Sequence, residues 1–260
     1  MNKAVLITGA CTNTGVAIVE KFASQGYNVI FTGRNAEKVL EKEREYRAKF
    51  PNVEIEGYTI DSLIDERTVD EASVEQMFSY IDRRGLFVET LVLNAADQGL
   101  GQKIFENPIT DLMKVINTNV VWNFCLSEHA AKRMMANGGG NIVFINSNTA
   151  YRAIPDRIAY ITSKGGQLGL MRALALDLGK YNIRVNAVLP GMIKTDRWEK
   201  NPDFYKDVPS RFTPIGDVAV GEDVADAVYY FAAHARNTTG AELVVDGGNT
   251  IQLYPIIPKQ

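Results

Sequence analysis

The sequence lacks the features that mark several large classes of protein. It holds two cysteines in 260 residues, Cys11 and Cys125, too few for the disulfide framework of a small secreted fold. Basic and acidic residues nearly balance, 28 against 31, for a formal net charge of -3. No block of lysine and arginine stands out, so nucleic acid and anionic membrane surfaces are not expected partners. No apolar run approaches the ~20 residues of a membrane span. Met1-Asn2-Lys3 leads straight into a strand-like segment, without the pattern of a signal peptide. There is no internal repeat, no linker rich in Pro, Gly or Ser, and no set of metal ligands. These absences lead us to expect a cytoplasmic protein folding as a single unit over 1–260. Its 46% apolar and 23% charged residues are ordinary for a globular chain.

Short apolar runs alternate with longer amphipathic stretches. Residues 4–8, 29–32, 53–60, 90–93, 142–145, 183–188 and 243–245 read as strands, about seven in all. Between them lie helical patterns, among them 16–25, 36–50, 111–135 and 157–178. Alternating strand and helix predicts an α/β fold: a doubly wound parallel sheet of about seven strands with helices on both faces. Pro202, Pro209 and Pro214 discourage long helices over 197–217, which reads as a substrate-binding loop. Residues 251–260 read as a C-terminal tail.

In open α/β sheets, ligands bind beyond the carboxyl ends of the strands. There the first helix aims its free N–H groups at the crevice. The stretch TGACTNTGVA (8–17) lies at such a strand end. Gly9 allows the tight turn, and Gly15 lets backbone approach a pyrophosphate. Asn13 stands where a further glycine would suit, and asparagine tolerates left-handed backbone angles.

A second stretch is more specific. In FINSNTAYRAIPDRIAYITSK (144–164), Tyr160 and Lys164 are four apart and Ser147 lies thirteen before the tyrosine. Asp156 is placed to cap a helix starting at Arg157, which puts Tyr160 and Lys164 on one helical face. A Tyr-x3-Lys pair is expected roughly 0.6 times by chance, and roughly 0.02 times with serine at that offset.

The chain thereby resembles the short-chain dehydrogenase/reductases, over almost its whole length. TGACTNTG resembles the family's glycine-rich loop, and Leu93-Asn94-Ala95-Ala96 stands where the family has Asn-Asn-Ala-Gly. Asn117 in VINTNV matches its catalytic asparagine, and Ser147, Tyr160 and Lys164 its serine, tyrosine and lysine. Pro190-Gly191 with Thr195 matches the segment that holds the nicotinamide carboxamide, and Val245-Asp246-Gly247-Gly248 the closing strand. The resemblance implies a Rossmann fold in which Asn117, Ser147, Tyr160 and Lys164 are catalytic. It implies a dinucleotide held by Thr8, Gly9, Cys11, Asn13, Thr14, Gly15, Arg34, Asp61, Asn94, Ala95, Tyr160, Lys164, Pro190, Gly191, Ile193 and Thr195. It also implies a homo-oligomer, a tetramer or dimer, with one interface on the helices 111–135 and 157–178.

Ketone reduction needs a hydride on carbon and a proton on oxygen. A free tyrosine has a pKa near 10, and a nearby ammonium lowers it by roughly 1–3 units. Lys164 is expected to do this for Tyr160, Ser147 to hold the substrate oxygen, and Asn117 to position a relay water. An acid at the end of the second strand would grip the ribose of NAD. Here Phe31-Thr32-Gly33-Arg34-Asn35 has none, and Arg34 suits a 2′-phosphate. NADP is therefore expected, with NAD as the alternative. Asp97, Thr149, Arg152, Arg157 and Trp198 are the substrate candidates. Their polarity points to a small polar substrate: a sugar, polyol or hydroxy/keto acid. The alternatives are a 3-oxoacyl-carrier-protein reductase-like enzyme and a catalytically silent dinucleotide-binding sensor.

Overall fold

Neighbouring residues along each strand bury into opposite cores, because side chains alternate across a pleated sheet. On the first strand Ala4 and Leu6 enter one core while Val5 and Ile7 enter the other. Ile142 and Phe144 part from Val143 and Ile145 in the same way. Strands buried on both faces carry continuous apolar runs, as parallel sheets require. The computed structural model describes residues 2–101, 103–106, 109–195, 198 and 200–256.

The sheet consists of β1 (Asn2–Ile7), β2 (Asn28–Gly33), β3 (Ile55–Thr59), β4 (Leu86–Leu93), β5 (Gly140–Ile145), β6 (Ile183–Pro190) and β7 (Glu242–Val245). Their order is β3-β2-β1-β4-β5-β6-β7, and every neighbouring pair is parallel. The expected α/β architecture is therefore present. The helices are α1 (Asn13–Ser24), α2 (Ala36–Lys49), α3 (Glu71–Arg83), α4 (Ile109–Ile116), α5 (Trp122–Ala136) and α6 (Ile158–Leu178). After β6 come two short helices, α7 (Pro202–Tyr205) and α8 (Val208–Phe212), then α9 (Gly221–Tyr229). Phe22, Val39, Tyr46 and Val228, from α1, α2 and α9, fill one core; Phe78, Leu126 and Met171, from α3, α5 and α6, fill the other.

Because β1 lies between β2 and β4, the chain reverses direction across the sheet after β3. This opens a crevice at the carboxyl ends of β1 and β4. Two local expectations change. The helix expected over 111–135 is interrupted at Asn117–Val121 by one π-helical turn. Asp156 has φ 56° and does not cap α6, whose N-cap is Arg157 without a side-chain hydrogen bond. Of the segments 197–217 and 251–260, residues 197, 199 and 257–260 lie outside the described residues. Among the described residues no helix is long and apolar enough to cross a membrane.

Candidate active site

The carboxyl ends of β1 to β6 line one cleft of about 850 Å³. The turn after β1 supplies Gly9 and residues 11–15, the end of β2 Arg34, and the chain after β3 Asp61 and Ser62. Gly9 has φ 65° and Asn13 φ 47°, so the asparagine does take the left-handed conformation. Gly15 lines the cleft, and its lack of a side chain has a further use. A Cβ there would lie 2.6 Å from Ala10 Cα and 2.7 Å from the Gly9 carbonyl oxygen, so its smallness seats α1 against the turn. Tyr46 Oη donates to the Ala10 carbonyl at 2.9 Å, and burial pushes this phenol well above its ordinary pKa. Thr8 is fully buried and does not line the cleft. Its Oγ1 accepts from the Asn94 and Ala95 N–H groups, both at 3.0 Å, so it orders those residues from below. Asn94 Nδ2 in turn donates to the Thr8 and Gly9 carbonyls at 3.0 Å each. Asp61 accepts from Ser62 N at 2.7 Å, and Ser62 Oγ lies 3.2 Å from Thr118 Oγ1.

Beyond β4 and β5 the side chains become chemically active. Ser147 follows β5, and Tyr160 and Lys164 lie on the first turns of α6; all three line the cleft. Ser147 Oγ accepts from Thr149 N at 3.2 Å and from Thr149 Oγ1 at 2.9 Å. With both lone pairs engaged, its own proton is left to donate. Lys164 is 2% exposed, and its Nζ donates to the Ile145 carbonyl at 2.8 Å and to Gln167 Oε1 at 3.0 Å. Burial pushes the ammonium down to about 7. Burial also pushes the Tyr160 phenol up, while the Ser147 hydroxyl and the Arg157 charge pull it down. The expected lowering by Lys164 is thus not met in the free protein. Nζ lies 5.6 Å from the ring centroid and is turned toward two neutral acceptors.

Asn117 does not join this group. Its Nδ2 donates to the Arg67 carbonyl at 2.8 Å, on the far side of the π turn. Asn119 joins instead, fully buried. Its Oδ1 accepts from Asp97 N at 2.7 Å, and its Nδ2 donates to the Asp97 carbonyl at 2.8 Å and to Ser163 Oγ at 2.9 Å. Its own carbonyl lies in the π turn, where the regular i→i+4 pattern gives way. That carbonyl accepts from Asn123 Nδ2 at 2.9 Å and from Gln167 Nε2 at 2.6 Å.

A family model described as enoyl-(acyl carrier protein) reductase matches residues 9–250. An uncharacterised oxidoreductase of Thermotoga maritima is 31% identical over 258 residues, covering 96% of this chain and 97% of the relative. The chain belongs to the short-chain dehydrogenase/reductase family. Among solved structures, a protein assigned as a gluconate dehydrogenase from Agrobacterium tumefaciens superposes with a TM-score of 0.87. It is 29% identical, with 96% of this chain and 97% of that one covered. ElxO in its NADP-bound form superposes with a TM-score of 0.85 at 30% identity, covering 97% and 100%.

In this short-chain dehydrogenase/reductase two of the five substrate candidates lie at the cleft or at Tyr160. Asp97 lines the cleft, and Arg157 sits 6.0 Å over the Tyr160 ring while its Nη1 donates to the Gln98 carbonyl at 2.7 Å. Thr149 acts on Ser147 instead. Arg152 is spent on the tail: Nη1 donates to the carbonyls of Asn249, at 3.2 Å, of Thr250, at 2.9 Å, and of Gln252. Trp198 stacks on Tyr205 at 4.4 Å and does not line the cleft. Pro190, Gly191 and Ile193 line it, but Thr195 does not; its carbonyl accepts from Trp198 N at 2.8 Å. Sequence reasoning missed Asn119, Asn146 and Gln167, as well as Trp122, which lines the cleft below Thr118.

Proposed function

We propose that this protein is an NADP(H)-dependent oxidoreductase interconverting a secondary alcohol and a ketone on a small polar substrate. The observation that carries the reading is that Ser147, Tyr160 and buried Lys164 line the same cleft as the glycine turn. The residues fit a dinucleotide. The first turn of α1 carries no acidic residue to compete with phosphate for its N–H groups. Arg34 is exposed at the cleft's lip, and among the described residues no carboxylate pairs with it. The turn residues Gly9, Cys11, Asn13, Thr14 and Gly15 would hold the pyrophosphate, with Asp61, Asn94, Ala95, Pro190, Gly191 and Ile193 along the remaining length. ElxO, which shares the fold, carries NADP.

When bound, the nicotinamide exchanges the hydride with the substrate carbon. This chain's residues do the rest. Tyr160, held as the neutral phenol by burial, gives its proton to the developing alkoxide and takes it back in oxidation. Ser147, whose oxygen accepts from Thr149 twice, turns its own proton to the substrate oxygen. Lys164 brings positive charge to the floor of the cleft, and Asn119 fixes the loop carrying Asp97. Arg157 and Asp97 favour a hydroxylated or carboxylated substrate. The test is a panel of sugars, polyols, hydroxy acids and keto esters with each cofactor, run on wild type and Tyr160→Phe. We expect turnover to fall by about 10²–10⁴-fold in the variant, with NADPH affinity within about threefold. Near wild-type turnover would end this mechanism.

A second reading, reduction of an acyl chain on a carrier protein, draws on the matching family model and on exposed Leu100, Ile104 and Phe105 after β4. Against it, the turn at 136–140 carries no charge to meet an acidic carrier. We also read the protein as a cytoplasmic homo-oligomer. Gly165, Gly166, Gly169 and Ala173 are exposed on α6, and Val121 and Phe124 are exposed on the π turn and α5.

A further inference from the structure

Gln167 lies one helical turn beyond Lys164 on α6 and is 1% exposed. Its Oε1 accepts from Lys164 Nζ at 3.0 Å and from Asn146 Nδ2 at 3.1 Å, while its Nε2 donates to the Asn119 carbonyl at 2.6 Å. One amide thus joins α6, the end of β5 and the π turn. Packing alone does not ask for it, since the neighbouring buried positions of the helix are Leu168 and Met171, and a buried amide costs free energy unless every group is bonded.

Each partner also keeps one bond elsewhere. The Asn119 carbonyl also accepts from Asn123 Nδ2 at 2.9 Å, and Asn146 Nδ2 also donates to the Lys164 carbonyl at 2.9 Å. Lys164 Nζ also donates to the Ile145 carbonyl at 2.8 Å. What Gln167 adds is a second acceptor for a buried ammonium, anchored to the π turn.

We propose that Gln167 is a positioning residue that holds the Lys164 ammonium and couples it to the Asn119 turn. The proposal rests on the oxidoreductase reading of Lys164 given above. The surroundings of Nζ are short of charge. Its own helix offers the Tyr160 ring, β5 the Ile145 carbonyl and Asn146, and the π turn Asn119; Arg157 lies beyond the Tyr160 ring. Among the described residues no carboxylate offsets the burial that pushes Lys164 to about 7. The second neutral acceptor therefore weighs on whether the amine stays charged, because hydrogen bonds to a charged form favour that form.

The test uses the full chain with Gln167→Leu, which keeps the volume, and Gln167→Glu, which puts a carboxylate at the same place. Three quantities are read across about pH 5.5–10: NADPH binding by protein fluorescence, kcat/KM for ketone reduction, and Tm. We expect the alkaline midpoint of both profiles to move down by about one unit in Gln167→Leu and up by about one unit or more in Gln167→Glu. In Gln167→Leu, kcat should fall about tenfold near neutral pH, with KM for the ketone within about threefold. Should the leucine variant fail to fold, the upward move in the glutamate variant decides alone. Wild-type midpoints in the variants, with Tm alone lowered, would overturn the proposal and leave Gln167 a packing residue. A wild type that binds no dinucleotide would overturn the functional reading and this proposal together.

Discussion

Replacing Arg34 should separate the two cofactors. Arg34 follows β2, is exposed, lines the cleft and has no carboxylate partner among the described residues, so its guanidinium is available to a ligand at no cost of a broken ion pair. Asp61, Asp65 and Glu66 line the same end of the cleft. Without Arg34 a 2′-phosphate would face a surface of mostly negative charge. A charge-assisted hydrogen-bonded pair is worth about 1.5–3 kcal/mol, and each 1.4 kcal/mol is tenfold in affinity. Arg34→Ala should therefore weaken NADPH by about 10–100-fold and NADH, which has no 2′-phosphate, by less than about threefold. Because the side chain is exposed, the pair is open to screening. Raising salt from about 0.05 M to about 0.5 M should narrow the wild-type preference for NADPH over NADH, and in the variant should instead ease the repulsion of NADPH. Titration of each cofactor against protein fluorescence at both salt levels reads all of this. Equal losses for the two cofactors, or a wild type that prefers NADH, would refute the assignment.

Three further outcomes follow from the same geometry. Thr149→Val removes one of the two donors that orient Ser147, so kcat should drop about threefold to tenfold with KM for the ketone nearly unchanged; a matching rise in KM would mean that Thr149 binds substrate directly. Asn119→Ala breaks three buried side-chain hydrogen bonds and should cost about 2–3 kcal/mol, a Tm fall of about 5–10 °C with loss of activity, whereas Asn117→Ala should stay within about 1 kcal/mol; the reverse ranking in thermal melts would restore Asn117. Lys164 is held near 7 when folded against about 10.4 unfolded, so between those values the unfolded chain binds the extra proton and wild-type stability rises with pH. Lys164→Met should remove that slope, its Tm relative to wild type being highest at or below about pH 7 and declining toward about pH 10; parallel melting curves would disprove the buried, easily neutralised amine.

The sequence made legible whatever a local period dictates. Seven apolar runs bounded by amphipathic stretches specify a parallel sheet, because only strands covered on both faces read that way. Tyr160 and Lys164 share a face of α6 because four residues make about one helical turn. The left-handed angle at Asn13 follows from the chemistry of one side chain. The misses share a different physics. VINTNV offers two asparagines, and a regular helix gives no ground for choosing between them; a single π turn swings Asn119 in and sends Asn117 out to the Arg67 carbonyl. Arg152 and Arg157 look alike as cations near a site. The choice falls to the carbonyls of residues 249–252, a hundred positions along the chain, which claim Arg152 and leave Arg157 over Tyr160.

Gln167 is the extreme case. By its 3.6-residue spacing it is one more inward position on α6, and a polar residue there reads as a flaw in an apolar stripe. Its meaning lies in bonds to β5 and to the π turn, elements it meets only once the sheet is assembled. A buried polar side chain on an otherwise apolar helix face, next to an ionisable residue, is therefore itself a signal. The cost of burying an unbonded amide means that its partners exist somewhere in the fold, and the charged neighbour is the first place to look. In this chain that signal marks Gln167, three residues after Lys164, though not Asn119, whose role depends on the π turn.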